Sequence, residues 1–187
     1  MSRVLVPLAP GFEEVEAVTL VDLLRRAGIE VDTAALADRE VTGSHGITVT
    51  ADMGLDEACA GDYDMIALPG GMPGADHLKT DPRVLSLLRR MAAEGRYTAA
   101  ICAAPGVLAH AGLLAGRAAT SFPGFLDAGS APGIRLCEDA VVVDGKVVTS
   151  RGAGTAMTFA LQLIELLEGA AVREQVQARL QLPQSGK

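Results

Sequence analysis

The chain has 187 residues and a formal net charge of −7, with 49% hydrophobic residues, 3% aromatics and no Trp. That length suits a single domain, expected over residues 1–182 with a loose tail at 183–187, able to bury a core without disulfide or metal support. The acidic balance, with basic pairs no longer than Arg25-Arg26 and Arg89-Arg90, excludes a phosphate-tracking nucleic-acid surface. Nothing at the N-terminus reads as a signal peptide and no apolar run is long enough for a bilayer, so the expected location is cytoplasmic.

Val4 to Leu8 reads as a buried strand, 9–12 as a loop, and Glu13 to Ala27 as a helix stopped by Gly28. Ile29 to Ala35 is the next strand, and Val41–Ser44 with Ile47–Ala51 predicts a small hairpin or an edge addition. Met65 to Leu68 is an apolar strand running into a Pro/Gly loop, Pro69–Gly74. A helix capped by Asp81, with Pro82 as its first residue, stops before Gly95. Tyr97 to Ile101 is a strand, 118–121 and 134–137 are short strands, and 141–148 is a hairpin about Asp144-Gly145. Thr155 to Glu168 is a helix closed by Gly169, and 172–180 carries a second helical pattern. Strands alternating with helices predict an α/β doubly wound, mostly parallel sheet with helices on both faces. The loops after Leu8, Leu68 and Ile101 then open on the carboxyl edge, where such folds bind ligands.

Cys102 ends an apolar strand and enters the small-residue turn Ala103-Ala104-Pro105-Gly106, the pattern of a nucleophile elbow. A helix start beneath it favours a thiolate, and such settings lower a thiol from about 8.5 to about 3.5–7.5. A small core cysteine is the competing reading. Cys59, Cys102 and Cys137 are odd in number and widely spaced, so free thiols are expected rather than a disulfide framework or a zinc site.

Helical spacing from Glu16 through Leu20, Leu23 and Ala27 puts this carboxyl on the stripe that faces the core. Burial would raise its pKa and let a neutral Glu16 donate to a sulfur. A first-turn acid without that role is the plainer alternative, and Glu13 and Glu14 read as solvated first-turn acids. His45, His77 and His110 fall in turn or surface positions, with none adjacent to Cys102 in sequence. The Gly70-Gly71 loop matches no phosphate-binding fingerprint.

Taken together, Ala9-Pro10-Gly11-Phe12-Glu13-Glu14-Val15-Glu16, Leu68-Pro69-Gly70-Gly71, Ala99-Ala100-Ile101-Cys102-Ala103-Ala104-Pro105 and Thr149-Ser150-Arg151-Gly152-Ala153-Gly154-Thr155 resemble the ThiJ/PfpI superfamily. Within it, the chain is similar to the branch of the parkinsonism-associated protein deglycase and its bacterial YajL-type relatives. The resemblance implies a flavodoxin-like fold, a homodimer with Val15 and Val49 near the interface, and an oxidation-sensitive Cys102 with Glu16 as its acid. It also implies an oxyanion-type pocket from the amides of Gly71 and Ala103. The implied activity is a cofactor-independent, metal-free glyoxalase or deglycase acting on methylglyoxal and early dicarbonyl adducts. The alternatives are a redox sensor or chaperone with client proteins and, further off, a peptidase or amidotransferase. Two departures count against histidine chemistry: Ala103 follows the cysteine where peptidase-like relatives carry histidine, and Phe122 stands before Pro123 where the parkinsonism-associated protein has histidine. Arg26 and Arg151 are candidate anion contacts or solvated positions.

Overall fold

Short apolar runs form the parallel strands β1 (Arg3–Leu8), β2 (Glu30–Ala35), β5 (Met53–Gly54), β6 (Met65–Leu68), β7 (Tyr97–Ile101) and β11 (Val147–Ser150) in a computed structural model that describes residues 1–182. The hairpin strand β10 (Val141–Asp144) adds antiparallel to β11, giving a seven-stranded sheet in the order β10-β11-β7-β6-β1-β2-β5. Between β2 and β5 the chain makes a separate antiparallel hairpin, β3 (Glu40–Thr42) with β4 (Thr48–Thr50). Strands β8 (Ala118–Ala119) and β9 (Arg135–Leu136) form a second small pair, parallel to each other.

Side chains alternate across the sheet and build a core on each face. Val4, Val6, Leu8, Met65, Ala67, Ala99 and Ile101 share one cluster with Leu20, Leu24, Phe159 and Leu163. The last four come from α1 (Glu14–Arg26) and α6 (Ala156–Glu168), with α7 (Ala170–Leu180) packed on α6. Leu5, Ile66, Leu68 and Ala100 share the opposite cluster with Leu55, Leu78, Leu88, Met91 and Leu108. Those belong to α2 (Leu55–Cys59), α3 (Gly74–Thr80), α4 (Pro82–Ala93) and α5 (Pro105–His110). Aliphatic side chains therefore fill both interiors, and of the larger rings only Phe12 and Phe159 are fully buried.

The doubly wound expectation is met, with β1 bordered by β2 on one side and β6 on the other. The chain winds outward from β1 to β5 and then crosses back to β6, so strand order reverses beside β1 and opens a crevice at the carboxyl ends. The hairpins and the helices α1, α4 and α6 fall where the sequence places them. The five-residue α2 and α3, which begins inside the stretch read as a Pro/Gly loop, were not expected. The expected tail at 183–187 lies outside the described residues.

One side chain corrects the sequence reading: Glu14 is buried, 4% exposed, not solvated. Its Oε1 accepts from the amides of His45 (2.8 Å) and Ile47 (3.3 Å), and its Oε2 from Ser44 Oγ (3.3 Å), which docks the β3–β4 turn onto the start of α1. Burial raises its pKa, but the amides of Glu14, His45 and Ile47 and the His45 side chain outweigh that and bring it down to about 2. The carboxylate therefore contributes stability that is fully present above the ordinary value of 4.5 and is lost as pH falls toward about 2. Glu14→Gln is expected to lower the urea unfolding free energy by about 2 kcal/mol at pH 6, with the gap to wild type shrinking to less than half of that by pH 2.5. An equal gap at both pH values would contradict this role.

Candidate active site

The end of β7 turns so sharply that Cys102 adopts φ 65°, a left-handed conformation that non-glycine residues take at a cost of about 1–3 kcal/mol. Its own backbone groups hold it there. The Cys102 amide donates to the Ser150 carbonyl of β11 (3.0 Å), and its carbonyl accepts from the Phe122 amide (2.9 Å). Pro105 opens α5 as expected, leaving the side chain half-buried at the carboxyl edge of the sheet.

Glu16, on the buried stripe of α1, reaches the same place and is fully buried. Gly70 is wedged between the two: a Cβ at that position would lie 2.6 Å from Cβ of Cys102 and 2.8 Å from Oε2 of Glu16. Only glycine allows this approach, and its bare backbone puts the Gly70 amide 2.8 Å from Oε2. The next residue, Gly71, has φ 92° and presses against the backbone of 11–13, so the loop after β6 is locked onto the loop after β1. Oε1 of Glu16 is buried with no hydrogen-bond partner among the described residues, and the neighbour left to the carboxyl is the Cys102 thiol.

Burial raises the Glu16 carboxyl to about 7, against the opposing pull of the Gly70 amide and the thiol. Burial also pushes the Cys102 thiol up, and the charge and hydrogen bond of Glu16 add to the rise, to about 12. The amides of Ala103 and Gly71 favour a sulfur anion but do not overcome these effects. The expectation of a lowered thiol pKa is therefore corrected. A helix start was legible in the sequence, but α5 has only six residues, and desolvation with an adjacent carboxylate dominates. Each group shifts the other, so the thiol and the carboxyl titrate as a pair.

The geometry thus brings Cys102, Glu16, Gly71 and Ala103 together. The histidines lie elsewhere: His45 sits against Glu13 and Glu14, and His77 and His110 are exposed on α3 and α5. Glu13, Glu14 and His45 form a group with ligand atoms within 4.8 Å, but the Glu14 oxygens are already taken by the hairpin. Arg26 pairs with Asp22 one turn back along α1 and offers no anion contact at the thiol. Cys59 and Cys137 are free and half-buried, and burial raises the Cys59 thiol.

No helix among the described residues is long and apolar enough to cross a membrane. The DJ-1/PfpI family model matches residues 2–166. A Parkinson disease protein 7 homolog from Danio rerio is 43% identical over 95% of this chain and 96% of its own length. A protein named a deglycase from Pyrococcus abyssi is 34% identical over 89% of this chain and 99% of its own. The chain spans only 46% of the length of DJ-1 homolog A from Arabidopsis thaliana, at 39% identity and 96% of this chain. The crystal structure of Drosophila melanogaster DJ-1beta superposes with a TM-score of 0.92 at 38% identity, covering 98% of this chain and 100% of that one. With the family model matching residues 2–166, a relative 43% identical over nearly the whole chain and the same fold in a solved structure, the protein belongs to the DJ-1/PfpI family.

Proposed function

We propose that this protein is a cofactor-independent, cysteine-dependent enzyme of the glyoxalase/deglycase type, acting on small 2-oxoaldehydes such as methylglyoxal and on early dicarbonyl adducts. The observation that carries the reading is the buried Glu16 carboxyl, with one oxygen unpartnered, beside an accessible thiol. As the sulfur attacks the aldehyde carbon, an S–C bond forms, the carbonyl π pair moves to oxygen, and ionised Glu16 takes the thiol proton. In this reading the Gly71 and Ala103 amides, which favour an anion at the sulfur, donate to the developing oxyanion. Neutral Glu16 then returns a proton as hydrogen shifts from C1 to C2. Water cleaves the resulting thioester, releasing a 2-hydroxy acid and the free thiol. One water is consumed, the aldehyde carbon is oxidised and the ketone carbon reduced, so no external redox partner is needed.

The protein named a deglycase among the relatives supports the class of activity. A cytoplasmic homodimer is part of the proposal, supported by the exposed Val15, Val18 and Ile47 on α1 and the β3–β4 hairpin. An oxidation-sensing role of the same cysteine is the second reading, favoured by the two amides that would donate hydrogen bonds to a sulfinate. Peroxide converts the thiol to sulfenate and then sulfinate, each step reducing one peroxide to water. Mass spectrometry after mild peroxide is expected to find Cys102 oxidised first, and preferential oxidation of Cys59 or Cys137 would remove this reading.

Lactate production from methylglyoxal, with buffer scavenging controlled, is expected for wild type and is expected to fall by about 10²–10⁴-fold in Cys102→Ala and in Glu16→Gln. Wild type that makes no more lactate than Cys102→Ala overturns the enzymatic reading. Because the Cys102–Glu16 pair shares its titration and burial raises the carboxyl to about 7, alkylation of Cys102 by iodoacetamide is expected to speed up as pH rises through 7. In Glu16→Gln that inflection is expected to vanish and the rise to move to higher pH. An unchanged inflection in the variant would show that Glu16 is not the base.

A further inference from the structure

At the amino edge of the sheet, the end of β7 opposite Cys102, three cationic side chains from separate loops converge. Arg96 precedes β7, Arg117 precedes β8, and Lys146 stands in the turn between β10 and β11. Together with Thr98 and Val147 they line a recess of about 200 Å³ that has no carboxylate among the described residues around it. The two arginines are anchored from outside that lining. Arg96 Nη1 donates to Oδ1 of Asp64 (2.6 Å), and Arg117 Nη1 donates to the carbonyl (3.0 Å) and Oδ1 (3.2 Å) of Asp144. Gly145, at φ 62°, makes room for Arg117 against the turn, since a Cβ there would lie 3.1 Å from Nη1. A guanidinium has five N–H donors, so both arginines keep donors beyond those that these acids occupy.

Lys146 differs from both arginines. The nearby acids Asp64 and Asp144 are paired with arginines, and Lys146 forms no ion pair among the described residues. Its ammonium lies 3.7 Å from the centroid of the Tyr97 ring, and its carbonyl accepts from the Thr98 amide (2.9 Å), which ties the turn to the start of β7. Arg96 and Lys146 also line an adjoining recess of about 260 Å³, whose other walls include Asp64, Tyr97, Leu166 and Leu167. The chain carries 23 acidic against 16 basic residues, so a hollow with three cations and no acid in its lining runs against the sign of the whole molecule. Apolar walls around such a hollow concentrate its field on a bound anion.

We infer that the recess formed by Arg96, Arg117 and Lys146 binds the phosphate group of a small molecule. A carboxylate carries one charge in one plane and is satisfied by a single arginine fork, whereas two guanidinium groups and an ammonium from three loops suit a tetrahedral dianion. The phosphate sits among the three cations, and the body of a phosphate ester lies in the adjoining recess against Leu166 and Leu167. The site is at the far end of the sheet from the thiol, so it stands or falls separately from the chemistry proposed for Cys102.

The test is titration calorimetry of the full chain with inorganic phosphate, phenyl phosphate and benzoate at fixed ionic strength. Wild type is expected to bind both phosphates saturably, one per chain, and benzoate more weakly than phenyl phosphate. Lys146→Met, which keeps an apolar stem beside Tyr97 and breaks no ion pair, is expected to weaken phosphate binding about tenfold, and Lys146→Arg to restore most of it. Arg117→Gln probes the same recess from another loop and is expected to weaken binding by a similar factor. Lys79→Met removes the same charge from an exposed position on α3 and is expected to bind as wild type. Cys102→Ala is also expected to bind as wild type, which separates the recess from the amides beside the thiol. Phenyl phosphate binding about tenfold tighter than inorganic phosphate supports the recess as an ester site, and equal affinity supports it as a site for the free ion. Absence of saturable phosphate binding, equal losses in Lys146→Met and Lys79→Met, loss of binding in Cys102→Ala, or benzoate as tight as phenyl phosphate would each overturn the proposal. Thermal melting identifies any variant that fails to fold, and the comparison then rests on the remaining one of Lys146→Met and Arg117→Gln.

Discussion

Glu16 lies wholly buried with one oxygen on the Gly70 amide and the Cys102 thiol beside its carboxyl, and the surrounding chain is arranged to make that approach possible. An ionised carboxylate in such a place is costly without partners, and the first consequence is that its proton is held to about neutrality. The second is steric. Two side chains from different parts of the sequence can meet here only because the residue between them has no side chain, so Gly70 is as necessary to the pair as either member.

The fold delivers this contact through the reversal of strand order beside β1. Glu16 arrives on the helix that follows β1, Gly70 and Gly71 on the loop that follows β6, and Cys102 at the end of β7, three neighbouring strands that all point the same way. The sulfur's own backbone is fixed from the far side, by Ser150 on β11 and by the 122–125 turn. Since every fastening is a main-chain hydrogen bond, the cysteine's position depends on topology more than on the identity of its neighbours' side chains.

Much of this was legible in the sequence. The strands β1, β6 and β7 read as apolar runs, and the spacing from Glu16 through Leu20 and Leu23 placed its carboxyl on the inward face, where it lies. Glu14, two residues earlier, reads as solvated because helical periodicity measures only the face turned to the sheet. It is buried by the β3–β4 turn folding over it, a contact between segments about thirty residues apart. Helix α3 was hidden because its first residues, Gly74 and Ala75, continue a Pro/Gly stretch whose local signal is a turn. The Cys102 shift shows the same limit. A helix start is visible in a string of letters, whereas the burial and the neighbouring carboxylate that outweigh it exist only once the chain has folded.

The scarcity of large rings has a spectroscopic consequence. With no Trp in the chain, ultraviolet emission comes from Tyr63 and Tyr97 alone. Tyr97 begins the strand that Cys102 follows, so it sits roughly 16 Å from the elbow along the extended backbone. The crevice is thus optically silent, and an indole installed at position 122, with its amide still bonded to the Cys102 carbonyl, would make a local fluorophore against a nearly dark background.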